Sequence, residues 1–165
     1  MAIPLYSSLT QVYASATPDG STSIPDPGQI VIDDKANKIY KFAKNKHSAA
    51  LVANQVVAWD LTNDTNEVKQ VVTASLDRLS GGAMGAIAAS GFGWIQVYGI
   101  GTLSFEGTVA IGVADVLKGV NVQFRVVKDA AAGTAATFHN YARARVAYST
   151  GSAADKAAFI SCLAF

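Results

Sequence analysis

The chain has 165 residues and a mass of 17.1 kDa; 50% of its residues are apolar, only 15% are charged, and the net charge is +1. That length suits one domain with its own core, and the composition is too apolar and too weakly charged for intrinsic disorder. The near-neutral charge argues against a dedicated nucleic-acid binder, and the single cysteine, Cys162, excludes a disulfide framework.

All four prolines (Pro4, Pro18, Pro25, Pro27) lie in the first 27 residues, together with a Ser/Thr-rich stretch and the turn chemistry of Pro18-Asp19-Gly20 and Pro25-Asp26-Pro27-Gly28. Each proline lacks an amide donor and pushes its predecessor towards extended geometry. The pattern predicts an extended N-terminal arm over residues 1–28 and a single β-rich domain over 29–165. Either the arm is a frayed terminus, or it docks on a neighbour through Ile3, Leu5, Tyr6, Leu9 and Tyr13. It carries no basic leader and no long apolar run, so no secretory signal is expected.

Residues 29–44 read as a hairpin: QIVID, a turn at Asp34-Lys35-Ala36-Asn37, then KIYKFAK. SAALVANQVVAWD (48–60) reads as a strand pair or one bent strand. Residues 64–79 fit a helix and a strand equally: Val68, Val71, Val72, Leu76 and Leu79 have helical spacing, yet VKQVVT is β-branched. From residue 83 onward, short strands alternate with glycines. WIQVYG places Trp94, Gln96 and Tyr98 on one face, TLSFEG and TVAIG follow as separate strands, and NVQFRVVKD alternates Val120, Val122, Phe124 and Val126 against polar residues. ARARVAYS alternates Arg143 and Arg145 against smaller apolar residues. SAAD begins either a short helix or the approach to a final apolar strand, AAFISCLAF. Strands at this spacing indicate a mainly β fold, a small antiparallel barrel or sandwich with at most one or two short helices. LVANQVVAW (51–59), IAASGFGWIQV (87–97) and VAIGVADVL (109–117) each put a small-residue step between β-branched runs, a likeness short of a repeat architecture.

The 27 uncharged residues between Arg78 and Glu106 are long enough to span a bilayer, but seven are glycines, which break helices and mark turns. No membrane segment is expected. Covering of the exterior by other copies or another protein accounts for the missing charges instead.

Catalytic residue types are scarce. The two histidines, His47 and His139, form no local signature with Cys162, which sits in an apolar run and reads as a buried structural thiol rather than a nucleophile. No nucleophile elbow, phosphate-binding glycine loop or zinc-ligand spacing occurs. Asp60, Asn63, Asp64 and Glu67 match no calcium loop. No enzyme activity, cofactor or metal is expected. Lys35, Lys38, Lys41, Lys44 and Lys46 form a basic run with no acid between Asp34 and Asp60. It is either an aggregation-resistant edge or a basic patch facing an acidic partner; direct nucleic-acid contact is the weaker option at this net charge. Trp94 and Tyr98 are core or interface anchors, or a stacking platform for a sugar.

Three stretches carry a family resemblance: QIVIDDKANKIYKFAKN after Gly28, the central run GGAMGAIAASGFGWIQVYGIGTLSFEGTVAIGVADVL, and the Ala-rich turn and apolar strand that end the chain. Over residues 28–165 the chain resembles the capsid decoration, or cement, proteins of tailed bacteriophages. The resemblance implies a β-tulip-like module, often trimeric, made in the host cytoplasm and placed on the capsid exterior of the virion. Its partner would be the major capsid protein, and its role would be to bridge capsid subunits and stabilise the shell. A head-fibre base or tail structural protein is the alternative within that class. A small β-barrel carbohydrate-binding module is the alternative outside it.

Overall fold

A computed structural model describes residues 25–60, 66–72, 79–129 and 141–162. The described residues form ten β-strands and no helix: β1 (Ile30–Asp33), β2 (Lys38–Asn45), β3 (Val56–Trp59), β4 (Glu67–Lys69), β5 (Leu79–Ala83), β6 (Phe92–Phe105), β7 (Val116–Gly119), β8 (Val126–Lys128), β9 (Tyr141–Ala144) and β10 (Ala154–Ser161). The mainly β expectation holds, as does the barrel. Strands β2, β4, β3, β5 and β6 pair in that order, and β6 returns to β2 to close a five-stranded barrel. The order then continues from β6 through β10, β9 and β7 to β8, which returns to β6 by parallel pairing of Phe105 with Val126. This second ring shares β6 with the first.

The β1–β2 hairpin forms as its alternation requires, with Ile30 opposite Lys41 and Asp33 opposite Lys38. The ambiguous stretch after residue 64 resolves as strand where it is described: Val68 belongs to β4, and Val71 bridges Gln123. The β-branched character prevails because Val68 and Val71 are both buried, in different cores. SAAD leads into β10 rather than a helix.

Three sequence expectations fail. TVAIG is no strand and keeps only the isolated bridge of Ile111 to Tyr148. WIQVYG and TLSFEG are not separate strands but one continuous 14-residue strand. Gly99 and Gly101, read as punctuation, instead permit close approach. Gly99 has φ +97°, and a Cβ there would lie 2.4 Å from the carbonyl oxygen of Asn37; one at Gly101 would meet the Gln96 side chain at 2.5 Å. NVQFRVVKD is a strand only from Val126: Val122 has φ +56° in a turn and is 62% exposed.

The rings repeat one another at an offset of about 60 residues. Leu51 and Ile87 exchange two backbone hydrogen bonds, as do Ile111 and Tyr148. Asn54 and Ala114 both have left-handed φ, 67° and 70°, and donate to the carbonyls of Ala83 and Ala144. The Gln55 side chain accepts from the Val52 amide, and that of Asp115 from the Gly112 amide. The short parallel pairing of β4 on β2 recurs as that of β8 on β6. The cores correspond too: Leu51, Val57, Ala83 and Ile95 fill the first ring, and Ile111, Leu117, Ala144 and Ala158 fill the second. This equivalence sets Leu51 against Ile111, so the likeness read between residues 51–59 and 109–117 is two residues out of register, and residues 87–97 belong to the first ring rather than to a third copy.

Because β6 supplies hydrogen bonds and core side chains to both rings, neither can open alone without unpairing it. A single cooperative transition is expected in calorimetry, and two separate transitions would show independent rings. Phe105, fully buried in the second core, tests the coupling. Phe105→Ala should cost about 3–5 kcal/mol, measured by urea unfolding, and should lower the stability reported by Trp59 and Trp94 in the first ring equally.

Candidate functional site

Among the sequence-predicted interface residues, Ile3, Leu5, Tyr6, Leu9 and Tyr13 lie outside the described residues. Trp94 does not offer surface to a partner. It is 2% exposed and packs with Tyr40, Phe42 and Phe92 in an aromatic cluster on the outer side of the first barrel, against Val31 and Met84. Its ring meets Phe42 edge-on at 5.1 Å, and Phe42 stacks on Phe92 at 6.1 Å. The chain's own core takes up this tryptophan because both faces of β2 and of the N-terminal half of β6 are buried, a condition that alternation alone does not announce. Without Trp94, the stacking platform proposed for sugars has no indole. Tyr98 remains half-buried and packs edge-on against Phe159 at 5.4 Å.

The basic run does not form one patch. Lys35 is exposed in the β1–β2 turn and Lys38 is partly buried. Lys41 is only 8% exposed, and its ammonium lies 4.6 Å from the ring centroid of Trp59, a cation–π contact at the barrel core. Lys44 pairs with Glu67 at 3.3 Å, and Lys46 pairs with Glu67 at 2.7 Å and with Asp60 at 3.4 Å. Lys69 also pairs with Asp60, at 2.9 Å. The neutralising acids come from beyond the basic run: Asp60 follows β3, and Glu67 opens β4 directly opposite Lys44. Parallel pairing of β4 on β2 builds the network, which no local spacing predicts. Asp60 and Glu67, considered as cation ligands, are occupied by lysines; Asn63 and Asp64 lie outside the described residues.

The groups considered for nucleophilic chemistry are separated. Cys162 is buried in the second core, and burial pushes its thiol up to about 12. His47 packs edge-on against Phe124 at 5.0 Å, beside the first core. His139 is outside the described residues. No three His, Cys, Asp or Glu side chains gather as a metal site among the described residues, and no described helix is long and apolar enough to cross a membrane.

What the second ring does present is an apolar face flanked by cations. Ile100 of β6 lies opposite Phe159 of β10, which lies opposite Arg143 of β9. Ile100 is 49% and Val113 64% exposed, and Arg143 and Arg145 are both exposed. Arg143 Nη1 donates to the carbonyl of Ala114 at 3.2 Å, which fixes the guanidinium beside Val113. Val113, Ala114, Arg143, Arg145 and Phe159 line a shallow pocket of about 170 Å³, with Ile100 on the neighbouring strand beside Phe159. Arg143 and Arg145 were legible as one face of a strand; that Ile100 and Phe159 join them follows only from the β6–β10 register. The chain matches no protein-family model and no curated protein.

Two measurements test these assignments. A thiol reagent at mildly alkaline pH should leave Cys162 unmodified in the native protein and titrate one equivalent after denaturation; rapid native labelling would contradict the buried placement. Glu67→Gln should lower the urea midpoint at neutral pH, because Lys44 and Lys46 lose their shared acceptor. The Lys46 hydrogen bond holds the Glu67 carboxyl below its usual range, so its contribution is present at neutral pH and is lost as pH falls through that lowered value. The difference between wild type and variant should therefore close in acid.

Proposed function

We propose that this protein is a structural virion component that binds the outer surface of an assembled phage capsid and stabilises it by bridging capsid subunits. The observation that carries the reading is the apolar, arginine-flanked face of the second ring, displayed by a body whose cysteine is in a core and whose main acidic cluster is spent on lysines. Such a surface suits macromolecular contact: apolar area supplies affinity, and arginines supply orientation. The resemblance of the β1–β2 and β6 stretches to decoration proteins points the same way. The mechanism is mass action. A protein that binds only the assembled shell favours it by about 2.7 kcal/mol per site at a ligand concentration one hundred times Kd, and many sites add up.

The test uses purified protein and capsids emptied of their decoration. Co-sedimentation at saturating stoichiometry, with a rise in capsid melting temperature, is expected. Protein left wholly in the supernatant would overturn the reading. Cryo-electron microscopy of the decorated particles would place the density; density confined to the portal vertex or tail would assign it to a head-fibre base or tail protein instead.

A further inference from the structure

Equivalence of the two rings marks a surface that only one of them has covered. In the first ring, Asn54, Gly82, Met84 and Gln96 line a groove whose other wall is Ile100–Thr102 and Ala157, the start of the second ring. The same positions in the second ring are Ala114, Arg143, Arg145 and Phe159, as their matching hydrogen bonds and strand registers establish. They line the pocket beside Val113, and among the described residues no further ring supplies an opposite wall.

We infer that a second copy of this chain docks on this face, head to tail, and presents its β1–β2 hairpin. The segment equivalent to Tyr98–Thr102 is Lys38–Phe42, at the same offset of 60 residues, and in each copy it carries β1 alongside. β1 is the terminal strand in the pairing order of the described residues, and it displays Ile30 at 42% and Ile32 at 63% exposure. Asp34 and Lys35 are both exposed at the hairpin turn. The exposed apolar side chains of the hairpin complement the apolar seat, and the Asp34 carboxylate offers Arg143 or Arg145 an acceptor. The contact is heterologous, since seat and hairpin are different surfaces, so assembly proceeds beyond a dimer into a ring or a longer chain. This is the face that also carries the capsid reading; docking of a second copy on it is measured on the isolated chain, without capsids, so its failure and the failure of capsid binding are distinguishable.

The experiment is sedimentation velocity at tens of micromolar. Wild type should sediment as a species larger than the 17.1 kDa monomer. Val113→Asp in the seat and Ile32→Asp in the hairpin should each give monomer. Both side chains are more than 60% exposed, so the fold should survive, with circular dichroism as the check. Mixing the two variants leaves one intact seat and one intact hairpin, and a dimer that grows no further should form. A monomeric wild type, a variant that assembles like wild type, or a mixture that stays monomeric would each overturn the inference.

Discussion

The whole architecture hangs on one strand. β6 runs for 14 residues, pairs with β2 and β5 over its first half and with β10 over its second, and receives β8 at its end. A strand that closes two rings must be buried on both faces where the first barrel and its aromatic cluster enclose it. Its pattern over residues 92–97 is accordingly continuous burial, not alternation. The cost of that geometry is crowding, and glycine relieves it. At Gly99 the hairpin turn of β1 and β2 presses its Asn37 carbonyl onto the strand, and at Gly101 the Gln96 side chain folds over the backbone. Gln96 itself is 3% exposed and donates to the carbonyl of Tyr98, so the polar group carried inside is satisfied.

The same closure explains the fate of the charges. Two acids, Asp60 just after β3 and Glu67 of β4, meet three lysines in one cluster of the first ring. Lys41 lies between Ile39 and Ala43 in β2, both packed in or against the first core, and its stem runs along apolar surface while its ammonium faces the Trp59 ring. Ion pairs in the second ring join Lys118 with Asp129 and Lys128 with Asp115, and Arg143 and Arg145 stay at the surface. Duplication of the backbone pattern without duplication of the side chains leaves the rings different in chemistry: one closed by ions and aromatics, the other open and apolar.

Much of this was readable in advance, and the limits of reading are physical. The hairpin, the β9 alternation and the closing strand are local patterns, so the sequence carries them. Lys35, Lys38, Lys41, Lys44 and Lys46 looked like a patch because charge runs are visible along a chain. Their acceptors are set by strand pairing across about 20 residues, which a local window does not contain. Trp94 looked like an anchor because aromatic alternation resembles a half-exposed strand. The cover over it, Val31 and Met84, comes from different strands and turns. Ile100 and Phe159 meet only because β10 pairs with β6 in one register, and a shift by a single residue would turn Phe159 inward.

Composition by itself determined that this chain is an ordered β protein with few charges and a nearly empty catalytic inventory, because turn glycines, β-branched runs and missing residue types are properties of the chain alone. The 15% charge also raised the expectation that much apolar surface is covered. Only the tertiary structure decided where. The two-ring topology buries the aromatic face of the first ring within the chain, pairs Lys44 and Lys46 of the basic run with acids, and leaves the corresponding face of the second ring exposed. The reason is that burial and pairing are set by which strands become neighbours, and neighbours far apart in sequence are chosen by closure of the rings.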